Sequence, residues 1–354
     1  MEDIISIQYG YYDTFIEIAH QKWCMEVRKL QTTAAGTFIL TIPKEWATKL
    51  RLEKGDPVGV ELEEGSIIVT PTKSKPVQQA RSLEIDEFKD QKLLELCITA
   101  SYIQGHDVTE VVSKSKILPD QKRWIRHAVE GLIGVEIAED YADRVILQNL
   151  VDPQRFEMDK LLERFSVTSE AVLQDAIKAF IENYLTLAQD AFERGDESTK
   201  LYRLLMRLAL LAAKNKKIRD DMKLGDFSTV AVKIIAIREL GRMAYYAMRI
   251  AQHVGEIDRK LDENVISLIQ KMTKTTIEMQ QQAFTALLKK DLALASSVID
   301  RMALVRKQYD AAHAIAIKQS ERTSLSLSLI IRDIRAVAGY AVALADDAVL
   351  GVFA

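Results

Sequence analysis

The chain has 354 residues, too many for one ordinary domain, and its 28% charged and 48% hydrophobic content is that of a soluble globular protein. A formal net charge of −3 excludes a globally basic nucleic-acid coat, and two cysteines, Cys24 and Cys97, exclude a disulfide framework or zinc-ligand spacing and read as buried apolar thiols. No apolar run reaches the roughly 18 residues of a membrane span, and no basic-then-apolar segment opens the chain, so a cytoplasmic protein with no membrane insertion is expected.

Residues 1–24 are aromatic-rich and lead into no clear pattern. Two readings stay open for this leader: an extension upstream of a true start at Met25, or a short strand or helix docked on a neighbour. Residues 25–72 are predicted to form a small β-domain. Val27–Leu30 reads as a strand, and Thr37–Ile42 is β-branched, alternating and hence a second strand. Pro43 opens a short helix over Lys44–Leu50, where its missing N–H costs nothing. Gly55-Asp56 marks a turn. Pro57–Leu62 and Ser66–Thr70 form a hairpin across Glu63-Glu64-Gly65. So few residues cannot enclose a core alone, and self-dimerisation is the simplest source of the missing apolar surface.

Residues 73–82 are polar, basic and contain Pro76, as a linker would. Residues 83–153 are expected to be a small α+β domain, with helices over Phe88–Gln104 and Pro119–Gly131 and strands over Asp107–Val112, Gly134–Ile137 and Arg144–Leu150. After Pro153 there is no further proline, and apolar residues recur at i, i+3, i+4 and i+7. Six long helices are predicted, over 157–194, 197–221, 226–254, 262–289, 291–319 and 323–351. The breaks fall at Gly195-Asp196, Gly225-Asp226, Gly255, Lys290-Asp291 and Ser320.

An internal repeat organises these helices. IAIRELGRMAYYAMRIA at 235–251 returns as LIIRDIRAVAGYAVALA at 329–345. Arg238/Arg332, Ala244/Ala338, Tyr246/Tyr340 and Ala247/Ala341 coincide, and Glu239/Asp333 nearly so. Two tandem three-helix bundles follow, residues 154–258 and 259–354. The expected fold is therefore α+β multidomain and mostly α.

GTFILTIPKEW followed by LRLEKGDPVGVELEEGSIIVTP, from Val27 to about Pro71, resembles the SpoVT/AbrB-like swapped-hairpin family. That resemblance implies an intertwined, dimeric β-barrel that binds DNA. The bundles resemble PhoU proteins, tandem three-helix bundles involved in regulating phosphate uptake. Arg238, Leu240, Arg242, Met243 and Ala247 fit that family's third-helix frame, but its metal-binding carboxylate positions fall on Gly241, Tyr245, Arg335 and Gly339 here. The combination resembles the archaeal phosphate uptake regulators. It implies a homodimeric transcription regulator of phosphate homeostasis that binds DNA through its N-terminal domain. The alternative is an adaptor that binds a phosphate transporter or sensor protein and uses the β-domain only to dimerise.

Arg28, Lys29, Lys44, Lys49, Arg51 and Lys54 face only two acids, Glu45 and Glu53, within 28–54, and a dimer doubles that excess. Such a face binds phosphates by counterion release. Arg28 matches a basic residue of the family, whereas Thr37, Ala47 and Thr48 stand near its arginine positions. Base readout would rest on Lys44, Lys49 and Arg51. The five histidines are scattered. Glu136/Asp140 and Glu139/Asp143 have the spacing of one helix face yet lie at or beyond a predicted strand, so they read as solvated charge rather than a metal site. Tyr245, Arg249 and Arg335 are candidate anion or partner contacts, while Tyr246 and Tyr340 read as packing residues. No nucleophile elbow, phosphate loop or dinucleotide fingerprint is present, so neither enzyme activity nor a cofactor is expected.

Overall fold

A computed structural model of the chain describes residues 26–63, 65–71, 79–256 and 263–354. The leader at 1–24, the linker up to residue 78, and Glu64 of the hairpin turn lie outside the described residues. The chain forms two compact units, Met1–Val77 and Gln78–Ala354.

The first unit holds β1 (Gln31–Thr32), β2 (Phe38–Ile39), α1 (Lys44–Lys49), β3 (Val58–Glu63) and β4 (Ser66–Pro71). Pro43 stands at the N-cap of α1. The turn at Gly55 takes φ +95°, which glycine tolerates, and the Asp56 carboxylate accepts a 2.7 Å hydrogen bond from the Glu53 N–H. One expectation is corrected: the strand read at Val27–Leu30 is absent, and only Gln31–Thr32 pairs with β2. Among the described residues of this single copy the strands make two separate antiparallel ribbons, β1–β2 and β3–β4, without a closed barrel. On one face of the second ribbon, Val60 lies opposite Val69 and Leu62 opposite Ile67.

The second unit opens with a four-stranded sheet. Its strands are β5 (Ala80–Glu84), β6 (Val108–Val112), β7 (Val135–Asp140) and β8 (Arg144–Asn149), in the order β5-β6-β8-β7. β5 pairs in parallel with β6; the other pairs are antiparallel. β5 overturns the linker reading for residues 80–82: a short parallel edge strand gains its hydrogen bonds from a segment far along the chain, so local composition does not mark it. Helices α2 (Gln91–Ile103) and α3 (Pro119–Glu130) pack with the sheet around Ile85, Leu94, Ile98, Val111, Ile125 and Leu147. Cys97 on α2 is half-buried rather than buried, and burial raises its thiol pKa despite nearby Arg81.

Seven helices follow among the described residues: α4 (Met158–Glu182), α5 (Leu185–Lys214), α6 (Lys216–Asp221), α7 (Phe227–Val254), α8 (Glu263–Lys289), α9 (Leu292–Ala316) and α10 (Glu321–Val352). α4, α5 and α7 make one three-helix bundle, α8, α9 and α10 the other, and α7 packs on α10 between them. One apolar core runs through both bundles. The predicted break at Gly195-Asp196 is wrong. α4 ends instead at Asn183, in the left-handed conformation at φ 51°, which asparagine adopts more readily than most residues. Gly195 lies buried inside α5, where a Cβ would sit 2.9 Å from Met248 Cβ. It serves close helix approach, a role that a glycine read along the sequence shares with chain breaks. A break missed in the sequence falls at Asn215, whose side chain caps α6. Elsewhere the breaks stand where read: Asp226 and Asp291 accept from the Thr229 and Leu294 N–H groups at 2.8 and 3.0 Å, capping α7 and α9.

Arg207 of α5 joins the sheet layer to the first bundle. Its side chain is 1% exposed. Nη1 donates to the carbonyls of Tyr102 at 2.6 Å and His106 at 2.9 Å, and Nη2 donates to Gly105 at 3.4 Å. The amide of Asn149, oriented by this network, accepts from Nη2 at 2.7 Å and Nε at 3.3 Å. The guanidinium thus caps the C-terminal end of α2, where carbonyls lack helical partners, and lies 5.0 Å from the centre of the Tyr102 ring. Burial lowers the Arg207 pKa, while Tyr102 and Asp107 favour its charge. Burial in turn pushes the Tyr102 phenol up to about 12.

Candidate functional site

In the first unit, no described residue is buried. Val27, Leu30, Phe38, Val60, Leu62 and Ile67 are 63–82% exposed, so apolar side chains lie open on a unit with no core of its own, among them the Val60/Val69 and Leu62/Ile67 pairs on one face of the β3–β4 ribbon. All six candidate cations are exposed as well. Arg28 and Lys29 precede β1, and Arg28 pairs with Glu26. Lys44 and Lys49 stand at the two ends of α1, Arg51 follows it at φ 52°, and Lys54 lies in the turn before Gly55.

In the bundles, the repeat places its equivalent tyrosines against each other across α7 and α10. The Tyr246 and Tyr340 rings stack with centroids 5.7 Å apart. Burial, with Tyr246 alongside, raises the Tyr340 pKa. Of the candidate anion contacts, Arg249 is committed elsewhere: its Nε lies 3.3 Å from Asp333 Oδ2, and its guanidinium lies 5.7 Å from the Tyr245 ring centre. Arg332 donates to the other oxygen of Asp333 from Nε at 2.9 Å and Nη2 at 2.8 Å. The Asp333 side chain is 0% exposed, so the seam carries a buried carboxylate held by two arginines. Arg335 sits apart, 4.7 Å from the centre of the Tyr309 ring on α9. Further along the seam, burial and then the charges of Glu239 and Asp346 push the Asp347 carboxyl up to about 7, and Asp347 Oδ2 has no hydrogen-bond partner. Burial raises the Glu239 pKa too, against the neighbouring Arg238 and Arg242.

Tyr245 is 43% exposed. It lines a cavity of about 300 Å³ between α5 and α7 with Ser198, Thr199, Tyr202, Arg238 and Arg242. Sequence reasoning missed Arg238 and Arg242 as a pair. Their i, i+4 spacing was the available signal. It missed the burial of Asp333 although the repeat set it opposite Glu239. Of the paired carboxylates in 136–143, Glu136, Glu139 and Asp140 lie on β7, where four residues apart is no shared helix face. Asp140 pairs with Lys122 and Glu139 lies 3.7 Å from Arg144. Among the described residues no three potential metal ligands cluster.

The fold therefore defines a two-part protein: a β-unit without a core of its own, and tandem three-helix bundles built on an internal repeat. Family models match both parts. The PhoU domain model matches residues 162–254 and 269–348, and the model of antidote-toxin recognition MazE, a bacterial antitoxin, matches 31–77. The chain carries an N-terminal MazE/AbrB-like domain and two PhoU domains. Among solved structures, PhoU from Pseudomonas aeruginosa is similar at 18% identity, with 55% of this chain and 95% of that one covered and a TM-score of 0.49. The phosphate transport system regulatory protein PhoU from Streptococcus pneumoniae is similar at 16% identity, with the same coverage and a TM-score of 0.47. No curated protein matches the chain. No described helix is long and apolar enough to cross a membrane.

Proposed function

We propose that the protein is a non-enzymatic regulator of phosphate uptake, in which a homodimeric N-terminal domain binds DNA and the PhoU domains act as the sensing or partner-binding module. The observation that carries this reading is the open apolar face of the first unit. Val60, Leu62, Ile67 and Val69 form a paired apolar patch that a single copy leaves in water. Burying it against a second copy removes that cost and brings two sets of Arg28, Lys29, Lys44, Lys49, Arg51 and Lys54 into one particle. Phosphate contacts from such a set position the protein on a duplex, and base contacts from Lys44, Lys49 or Arg51 would supply specificity. The phosphate link is supported by the two PhoU domains.

Two measurements on the full-length chain test this. Sedimentation should give a dimer, and Val60→Asp with Leu62→Asp should give monomers. A salt titration of binding to promoter-sized DNA should show affinity of at least micromolar order, falling with a log–log slope of several units, and Arg28→Ala with Lys29→Ala should reduce that slope. A stable dimer with no salt-sensitive duplex binding would refute the DNA-binding role and leave the domain as a dimerisation device. A monomeric full-length chain would refute the pairing itself.

A further inference from the structure

Among the described residues, two arginines of α7 stand without an ion pair on one face of the first bundle. Arg238 and Arg242 are one helical turn apart and exposed, and like charges at that spacing repel and weaken a helix. Several other arginines of the bundles pair with carboxylates, Arg194 with Asp175, Arg249 and Arg332 with Asp333, and Arg301 with Glu278 at 3.0 Å, whereas Arg335 lies over the Tyr309 ring. Among the described residues, neither Arg238 nor Arg242 is within ion-pair distance of a carboxylate. Arg238 Nη1 donates to the Tyr202 hydroxyl at 3.5 Å. Glu239 interacts electrostatically with both arginines and also with Asp347 in the α7–α10 seam.

These arginines border the cavity of about 300 Å³, at the lower end of the range for pockets that hold a small organic ligand. Its walls combine two kinds of surface. Tyr202 and Tyr245 provide aromatic surface, and Ser198 and Thr199 contribute hydroxyl-bearing side chains. Gly241 brings the helices together here: a Cβ on it would meet the Tyr202 ring at 2.7 Å. That close approach sets Tyr202 of α5 beside the guanidiniums of α7. Planar guanidiniums bind phosphate oxygens in a fork and stack on flat rings, and tyrosines offer ring faces to a flat partner.

We propose that this cavity binds a phosphate group carried on a flat organic body, with Arg238 and Arg242 holding the phosphate and Tyr202 and Tyr245 flanking the body; in chemical class the ligand is a mononucleotide. The site would give the bundles a ligand to sense. It deepens the sensor reading, yet its test uses no DNA, so either proposal can fail without the other.

The test is calorimetric titration of the full-length chain with AMP, inorganic phosphate and adenosine. AMP should bind saturably, with phosphate and adenosine each at least tenfold weaker. Arg238→Gln with Arg242→Gln should weaken AMP binding at least tenfold with the far-ultraviolet circular dichroism unchanged, since both side chains are exposed. Arg301→Gln on the second bundle should leave the affinity as it is. Absence of saturable AMP binding, or an affinity unaltered in the double variant, would overturn the proposal. Phosphate binding as tightly as AMP would overturn the organic body and define a bare-anion site. An equal loss in Arg301→Gln would reduce the effect to general surface charge and also overturn it.

Discussion

Replacing Arg207 by Met should uncouple the sheet layer from the first bundle. Met keeps an apolar stem of similar reach and removes the charge and all the donors, so the cost reads the guanidinium rather than a cavity. In the native fold that group donates to three main-chain carbonyls, those of Tyr102, Gly105 and His106, and to the Asn149 amide oxygen. Hydrogen bonds from a charged donor contribute about 1.5–3 kcal/mol each, but the charge has also been taken out of water, so the sum is far from additive. Removing one member of such a buried set costs about 3–5 kcal/mol, chiefly because the remaining polar groups stay dry and unpaired. For a unit of this size that corresponds to a fall of roughly 5–9 °C in Tm. Arg207→Lys, which keeps the charge but cannot span the fork, should cost about half as much. Urea denaturation followed by circular dichroism measures the total. Amide hydrogen exchange locates it, with protection lost first at the end of α2 and in β6. A stability within about 1 kcal/mol of the parent for Arg207→Met, with protection there unchanged, would refute the clamp.

Asp347 makes the fold sensitive to pH. Its carboxyl titrates near 7 when folded against an ordinary value of 3.8, so the folded state holds the proton more tightly. Its contribution is therefore fully present below about pH 4 and is lost as pH rises through 7. Asp347→Asn should flatten the stability profile across that window in denaturant titrations; an unchanged slope would contradict the assignment. Asp333→Asn leaves Arg249 and Arg332 without their shared anion and should cost about 3–5 kcal/mol, measured by thermal unfolding. Gly195→Ala forces a methyl against Met248 where less than 3 Å is available and should cost about 1–3 kcal/mol, whereas Gly255→Ala, with open space around it, should change stability little.

The sequence by itself determined the parts and their order. Short alternating strands bounded by Pro43, Gly55 and Gly65 specify a β-unit too small to close. A proline-free stretch with helical periodicity and a repeated IAIRELGRMAYYAMRIA pattern specifies paired bundles, because periodicity and caps are properties of neighbouring residues. Caps at Asp226 and Asp291 were legible for the same reason. Tertiary structure alone decided what depends on residues far apart. Gly195 reads as a break until Met248 is seen against it, and β5 reads as linker until β6 lies beside it. Arg207 reads as one more charged helix residue until the end of α2 meets it, and Asp333 as a surface acid until α7 closes over it. Burial and pairing across distance set those roles, since the cost of a dry charge and the value of a close approach exist only once the chain has folded.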